Sequence, residues 1–221
     1  MRCAACGHDN TGNRRLKFCG ECGAPLASAP AATGERRKVA ILFADLAGYT
    51  RLSSSLDPEE VHRLLAGFFE VVDGVCARYG GTIDKHIGDN VMSVFGAPIA
   101  HGDDPERAVR AAVDIHREVA AYSTRVGREL RVHVGIAYGE VIASGLGSAH
   151  HHEYTVTGDA VNLAARLQDK AVGGETMISD PVRKAADRVA LVEPVGEVEV
   201  KGLAAPVPVW RLIGVRAATP T

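Results

Sequence analysis

Two cysteine pairs, and a few polar residues set among apolar ones, are where this chain can do chemistry. Cys3 and Cys6 form one C-x2-C pair and Cys19 and Cys22 a second; twelve residues separate the pairs, and each is followed by a glycine, Gly7 and Gly23. Two thiolates converge from such a turn, and four in a tetrahedral array make a closed structural zinc site. A segment of about 25 residues cannot bury a core, so the metal would supply most of its folding free energy. The alternative is a pair of redox motifs or disulfides. Further along, Asp45 ends an apolar run from Val39, and Asp89 sits in the turn Gly88, Asp89, Asn90. Two carboxylates on adjacent strand ends can hold a pair of Mg²⁺ ions, with phosphates completing the shells. Lone aspartates at such places otherwise serve as turn formers. Lys85, one of six lysines, alternates with Ile83 and Ile87 and is expected on their face, where it needs a partner or a path to water. Asn162 and Arg166 are four apart and share one face of a helix, either as a working pair or as a surface arginine beside an amide.

The pattern around these residues predicts the elements that must place them. Val39 to Asp45 reads as a buried strand. Asp57, Pro58, Glu59 and Glu60 start a helix, with proline in the first turn and acids at its positive end. Val61, Leu64, Leu65, Phe68, Val72, Val75, Cys76 and Tyr79 continue it at helical spacing until Gly80 and Gly81, which makes Cys76 a core residue. Thr82–Ile87 and Val91–Phe95 flank the Asp89 turn as a hairpin. A second long helix is expected from Asp104 to about Val126, and a long strand from Arg131 to Ile142. A short strand at Tyr154–Val156 precedes a third helix, Asp159–Lys170. Strands near Thr176–Ser179, Glu197–Val200 and Val207–Ile213 complete the sheet. Helices interleaved with hairpins imply an α+β sandwich on a mostly antiparallel sheet. His150, His151 and His152 are expected in a solvated loop before the short strand.

Composition bounds the rest. The 221 residues are 46% hydrophobic and 24% charged with a net charge of -2, enough for one well-buried core and an appendage. No apolar run reaches the length of a membrane span, and the start of the chain has no secretory h-region, which together with the cysteines implies a cytoplasmic setting. The near-neutral balance hides a split. Residues 1–38 carry seven basic against three acidic residues, and the remainder eighteen against twenty-four. An acidic main body argues against nucleic acid as partner. Small residues from Ala27 to Gly34 read as a linker. The expected organisation is a metal-folded module at 1–27, a linker at 28–38, one domain at 39–213 and a tail at 214–221.

Five segments, in order, carry a family resemblance: Leu42–Thr50, Asp84–Asp89, Val94–Gly96, Gly135–Glu140 and Tyr154–Leu167. They resemble the class III nucleotidyl cyclase catalytic domain, and the cysteine-rich start resembles a zinc ribbon. The resemblance implies a ferredoxin-like, palm-type sheet with packed helices. It also implies a phosphorus–oxygen lyase that converts ATP to 3',5'-cyclic AMP and pyrophosphate with two Mg²⁺ or Mn²⁺ ions.

Residue by residue, the resemblance implies that Asp45 and Asp89 bind the ions. Lys85 and Thr155 fall at the purine-recognition positions, Asn162 at the ribose-orienting position and Arg166 at the transition-state position. Thr155 stands where adenylate cyclases often carry aspartate; the hydroxyl both donates and accepts, so ATP is preferred with weaker discrimination. The family's sites form between two antiparallel protomers, one supplying Asp45 and Asp89 and the other the remaining four, so a homodimer is implied. The zinc ribbon, with Cys3, Cys6, Cys19 and Cys22 on Zn²⁺, would then be a contact module for a protein partner. The competing reading is a catalytically silent cyclase-fold module that binds nucleotide or partner proteins.

Overall fold

The structure is a computed structural model, and it describes residues 6–9, 19, 21–22, 34–148, 151–199 and 205–216, with 144–148 and 151–154 described in backbone. The central strand β1 (Glu35–Leu46) alternates between two cores. Ala40, Leu42 and Ala44 face one, while Val39, Ile41 and Phe43 face the other. Burial on both faces is why its sequence reads as a continuous apolar run rather than an alternation. After the short helix α1 (Tyr49–Ser54) comes α2 (Pro58–Arg78), with Asp57 at the N-cap position and Glu59 and Glu60 in its first turn. Leu64, Phe68, Val72, Val75 and Cys76 form its buried stripe. Burial pushes the Cys76 thiol up to about 12, consistent with an inert core residue. The helix stops at Tyr79, and Gly80 turns the chain with φ 77°.

The hairpin of β2 (Thr82–Ile87) and β3 (Asn90–Phe95) comes next, then α3 (Asp104–Val126), which ends at Gly127 in the left-handed conformation. Strand β4 (Val132–Ser148) is longer than its sequence pattern suggests. Together β4, β1, β3 and β2 lie side by side, each antiparallel to its neighbour. With α2 and α3 on one face, this is the expected ferredoxin-like arrangement. The sheet continues through β6 (Thr176–Ser179), β8 (Val207–Val215) and β7 (Ala190–Val198), and α5 (Asp180–Ala185) lies between β6 and β7 in sequence. Pairing of β4 with β6 is parallel, so the sheet is mixed.

Strand β5 (His151–Thr157) pairs with the far half of β4. This corrects the loop expected at the histidines: His151 and His152 open β5 opposite Ser148 and Gly147, and His150 lies outside the described residues. No described helix is long and apolar enough to cross a membrane.

Helix α4 (Asp159–Lys170) covers the second face, burying Ala160, Ala164, Leu167 and Gln168. It sits unusually close to β4. A Cβ on Gly135 would meet the Ala164 carbonyl oxygen at 2.2 Å and the Gln168 nitrogen at 2.3 Å. Backbone atoms of a helix cannot swing aside, so only glycine fits. Gly135→Ala is therefore expected to lift α4 and to cost about 1–3 kcal/mol, in the range of core overpacking. Chemical denaturation of the two proteins measures that cost; equal midpoints would contradict it.

Candidate functional site

Asp45 follows Phe43 in the alternation of β1 and so faces α4. Its cross-strand neighbours are Asn90 on β3 and His133 on β4, and the three form a row across the sheet. Gln168 of α4 covers that row. Its amide nitrogen donates to Asp45 Oδ2 at 3.3 Å, and its Oε1 accepts from Asn90 Nδ2 at 3.0 Å. His133 Nε2 lies 3.3 Å from the same Asp45 oxygen, and its Nδ1 reaches the carbonyls of Gln168 and Ala171 at 3.0 and 3.1 Å. The Gln168 amide nitrogen also lies 3.1 and 3.3 Å from the two ring nitrogens, and contact with Asp45 raises the His133 pKa against the opposing effect of burial. One Asp45 oxygen is held from two sides. The other, Oδ1, is buried with no hydrogen-bond partner.

Asp89 lies against Asp45 from the hairpin turn. Burial, and then the neighbouring Asp45 carboxylate, push its carboxyl up to about 6. Two carboxylates in contact, one with an orphaned buried oxygen, form a hard oxygen-donor set that suits Mg²⁺ or Mn²⁺. After β1 opens a cleft of about 730 Å³ whose lining includes Gly48, Thr50, Arg51, Glu129 and Arg131.

Lys85 and Thr155 also meet, by a route the sequence did not suggest. The register of β2 on β3 shifts at Asp84: Ile83 opposes Ser93, whereas Lys85 opposes Met92. A bulged residue re-aims the side chains beyond it. Lys85 consequently leaves the face of Ile83, which packs against the α2–α3 core, and joins Ile87 on the opposite face. Shared placement with Ile83 is thus overturned. There Lys85 Nζ donates to Thr155 Oγ1 on β5 at 3.1 Å and pairs with Asp84 Oδ2 at 3.2 Å. His86 takes the α2 face, stacking on Phe69 with ring centroids 4.1 Å apart and meeting Asp73 at 3.1 Å.

Asn162 and Arg166 do share a face of α4, and it is the solvent face, opposite Ala164 and Gln168. Arg166 is half exposed and pairs loosely with Asp169 at 3.3 Å. Within one protomer the structure therefore joins Asp45 to Asp89 and Lys85 to Thr155, and leaves Asn162 and Arg166 pointing outward.

In the N-terminal segment, the Sγ atoms of Cys6, Cys19 and Cys22 lie within 4.8 Å of one another, and those of Cys6 and Cys19 are 3.6 Å apart. That exceeds a disulfide bond of about 2.05 Å and approaches the ~3.8 Å between thiolates on one tetrahedral zinc. Cys3 lies outside the described residues.

Sequence reasoning missed Asn90, His133, Gln168 and Asp84 as parts of these clusters. A histidine between Val132 and Val134 in a buried strand was the available signal for one of them.

A ferredoxin-like sheet with one aspartate near the end of β1 and another in the neighbouring hairpin turn fits a nucleotidyl cyclase architecture. The chain belongs to the adenylate and guanylate cyclase catalytic domain family, whose model matches residues 32–214. The adenylyl cyclase CyaB from P. aeruginosa is 29% identical with a TM-score of 0.80, over 82% of this chain and 96% of that one. The guanylyl cyclase Cya2 is 38% identical with a TM-score of 0.77, over 83% and 95%. Among curated proteins, adenylate cyclase 1 of Rhizobium meliloti is 29% identical over 192 residues, 84% of this chain and 29% of that protein. An uncharacterised protein of Mycobacterium tuberculosis strain H37Rv is 38% identical over 138 residues, 62% of this chain and 25% of that protein. The alignments thus span less than a third of the length of these two curated relatives.

A stability measurement tests the carboxylate pair. The native Asp89 carboxyl holds its proton up to about 6, against an ordinary value of 3.8. Native metal-free protein therefore binds more protons than the unfolded chain in that window. It should lose stability as pH rises from about 4 to about 6. After discounting for solvent screening at this partly exposed group, the loss is on the order of 1 kcal/mol. Asp89→Asn should abolish that component, and Mg²⁺ or Mn²⁺ should raise the melting temperature of the wild type at neutral pH but not of Asp89→Asn. Identical pH profiles for the two proteins would contradict the pairing.

Proposed function

We propose that this chain is an adenylate cyclase that converts ATP to 3',5'-cyclic AMP and pyrophosphate in a homodimer. The observation that carries the reading is the half-buried Asp45–Asp89 pair, with one buried and unpartnered oxygen on Asp45, in a chain of this family. Held by Asp45 and Asp89, divalent ions would acidify the ribose 3'-hydroxyl and offset phosphate charge. The 3'-oxygen attacks the α-phosphorus, the bond to the β-phosphate oxygen breaks, and the hydroxyl proton passes to water or substrate phosphate. Arg51, in the cleft after β1, has the charge to meet the triphosphate, while Arg131 there is paired with Glu129 at 2.8 Å. Arg166 donates to oxygens that gain negative charge in the transition state. Asn162 orients the ribose so that attack is in line.

The outward aim of Asn162 and Arg166 supports a site completed across two protomers: each chain offers them away from its own carboxylates. Lys85, a donor, suits adenine N1, and Thr155 suits the N6 amine. In the full reading, residues 1–27 form a zinc ribbon on Cys3, Cys6, Cys19 and Cys22 that meets a protein partner. Residues 28–38 link it to a cytoplasmic catalytic domain at 39–213, followed by a tail at 214–221.

Incubation of the purified chain with ATP or GTP and Mg²⁺ or Mn²⁺ is expected to yield the 3',5'-cyclic product, mainly from ATP. Arg166→Ala should reduce turnover by roughly 10²–10³. Asp45→Ala should be inactive, yet a mixture with Arg166→Ala should regain about a quarter of wild-type activity, because half the dimers carry one intact site of two. No product in a verified dimer would leave the silent nucleotide-binding module; no complementation after confirmed subunit exchange would reject the shared site. For the ribbon, about one zinc per chain is expected on metal analysis, lost in Cys19→Ser. Zinc-free protein with reduced cysteines would reject it.

A further inference from the structure

Asp84 is a carboxylate that neither the metal chemistry nor direct base contact requires. It is the extra residue at the β2 bulge, where the register slips between Ile83 and Lys85. Without the slip, Asp84 and Lys85 would project to opposite faces of the sheet. With it, both reach Thr155. The Asp84 side chain is 3% exposed, and burial of a charge requires partners. It has two: the Lys85 ammonium at 3.2 Å and the Thr155 hydroxyl, which donates to Asp84 Oδ2 at 2.8 Å.

This fixes the direction of every bond in the triangle. An ionised carboxylate only accepts, so the one hydroxyl proton of Thr155 points at Asp84. Lys85 Nζ donates into one lone pair of the same hydroxyl oxygen at 3.1 Å. The hydroxyl is left with one lone pair and no proton to offer. Lys85, with three protons of which one goes to Thr155 and with the Asp84 carboxylate paired beside it, keeps a donor to offer. The cluster therefore shows a substrate one donor at Lys85 and one acceptor at Thr155.

We propose that Asp84 is a positioning residue for base choice: it turns the ambivalent Thr155 hydroxyl into an obligate acceptor and so selects a 6-aminopurine. The inference rests on the adenylate cyclase reading of the same site. For a purine held in one place by its ribose and triphosphate, adenine offers N1 to Lys85 and its N6 amine to Thr155. A 6-oxopurine in that placement sets its N1–H against the ammonium and its O6 against a lone pair. A threonine thereby does the work of a carboxylate through the carboxylate behind it.

The test compares ATP with inosine triphosphate, which differ in the hydrogen-bonding polarity of the N1 and C6 edge. The ratio is read as kcat/KM, and separately as the relative affinity of the 3'-deoxy nucleotides, which lack the attacking hydroxyl. Asp84→Asn keeps the volume and removes the charge; Asp84→Ala removes the acceptor. Each is expected to lower the ATP preference, Asp84→Ala by about three- to tenfold, the factor carried by one neutral hydrogen bond. In a Thr155→Val background the same Asp84→Ala change should leave the ratio where it was, because there is no hydroxyl left to orient. A general packing role would lower both substrates equally, or act equally in the two backgrounds, and either result overturns the inference. If either variant fails to fold, the other supplies the measurement. A wild-type chain that binds neither nucleotide, or that uses inosine triphosphate as well as ATP, overturns the adenine reading and this inference with it. A wild type that prefers ATP, with variants of unchanged ratio, overturns the inference alone.

Discussion

Everything around Asp45 depends on how closely α4 lies on β4. The missing side chain at Gly135 lets helix backbone rest on strand backbone. From that seat Gln168 reaches down to Asp45 and Asn90, while the same helix turns Asn162 and Arg166 to the outside. A helix held further away would lose the polar lid over the carboxylate and shift the outward pair together. One steric fact thus couples the seat of Asp45 to the placement of the outward pair Asn162 and Arg166.

The carboxylate row shows how a costly arrangement is made tolerable. Burial disfavours a charge on Asp89 and the neighbouring Asp45 adds repulsion, which is why Asp89 holds its proton so high. His133 and Gln168 relieve one oxygen of Asp45 and leave the other unsatisfied. The surroundings are arranged for an incoming cation and are less favourable without one.

Much of this was legible in the sequence where local physics decides the outcome. The ends of α4 and of the β2–β3 hairpin follow from glycines, prolines and apolar period, and the structure places them where those signals stand. The short helices α1 and α5 carry too few periods to read. His133, Asn90 and Gln168 were invisible as a cluster because their meeting depends on strand register and helix seating, which are tertiary quantities. Lys85 was placed on the wrong face for a related reason. Strict alternation assumes an unbroken ladder, and nothing local to Asp84 announces that the ladder skips a residue there. The same skip made Thr155 look ambivalent in sequence, since its proton is directed by a residue seventy-one positions away.

That skipped residue makes length, as well as identity, part of the information in β2. Between the start of the strand and the Asp89 turn, the number of residues sets which side chains cross from one face to the other. Substitution at position 84 retunes a bond; removal of the position would restore a regular ladder, with the lysine still opposite Met92 but with no carboxylate beside it and Thr155.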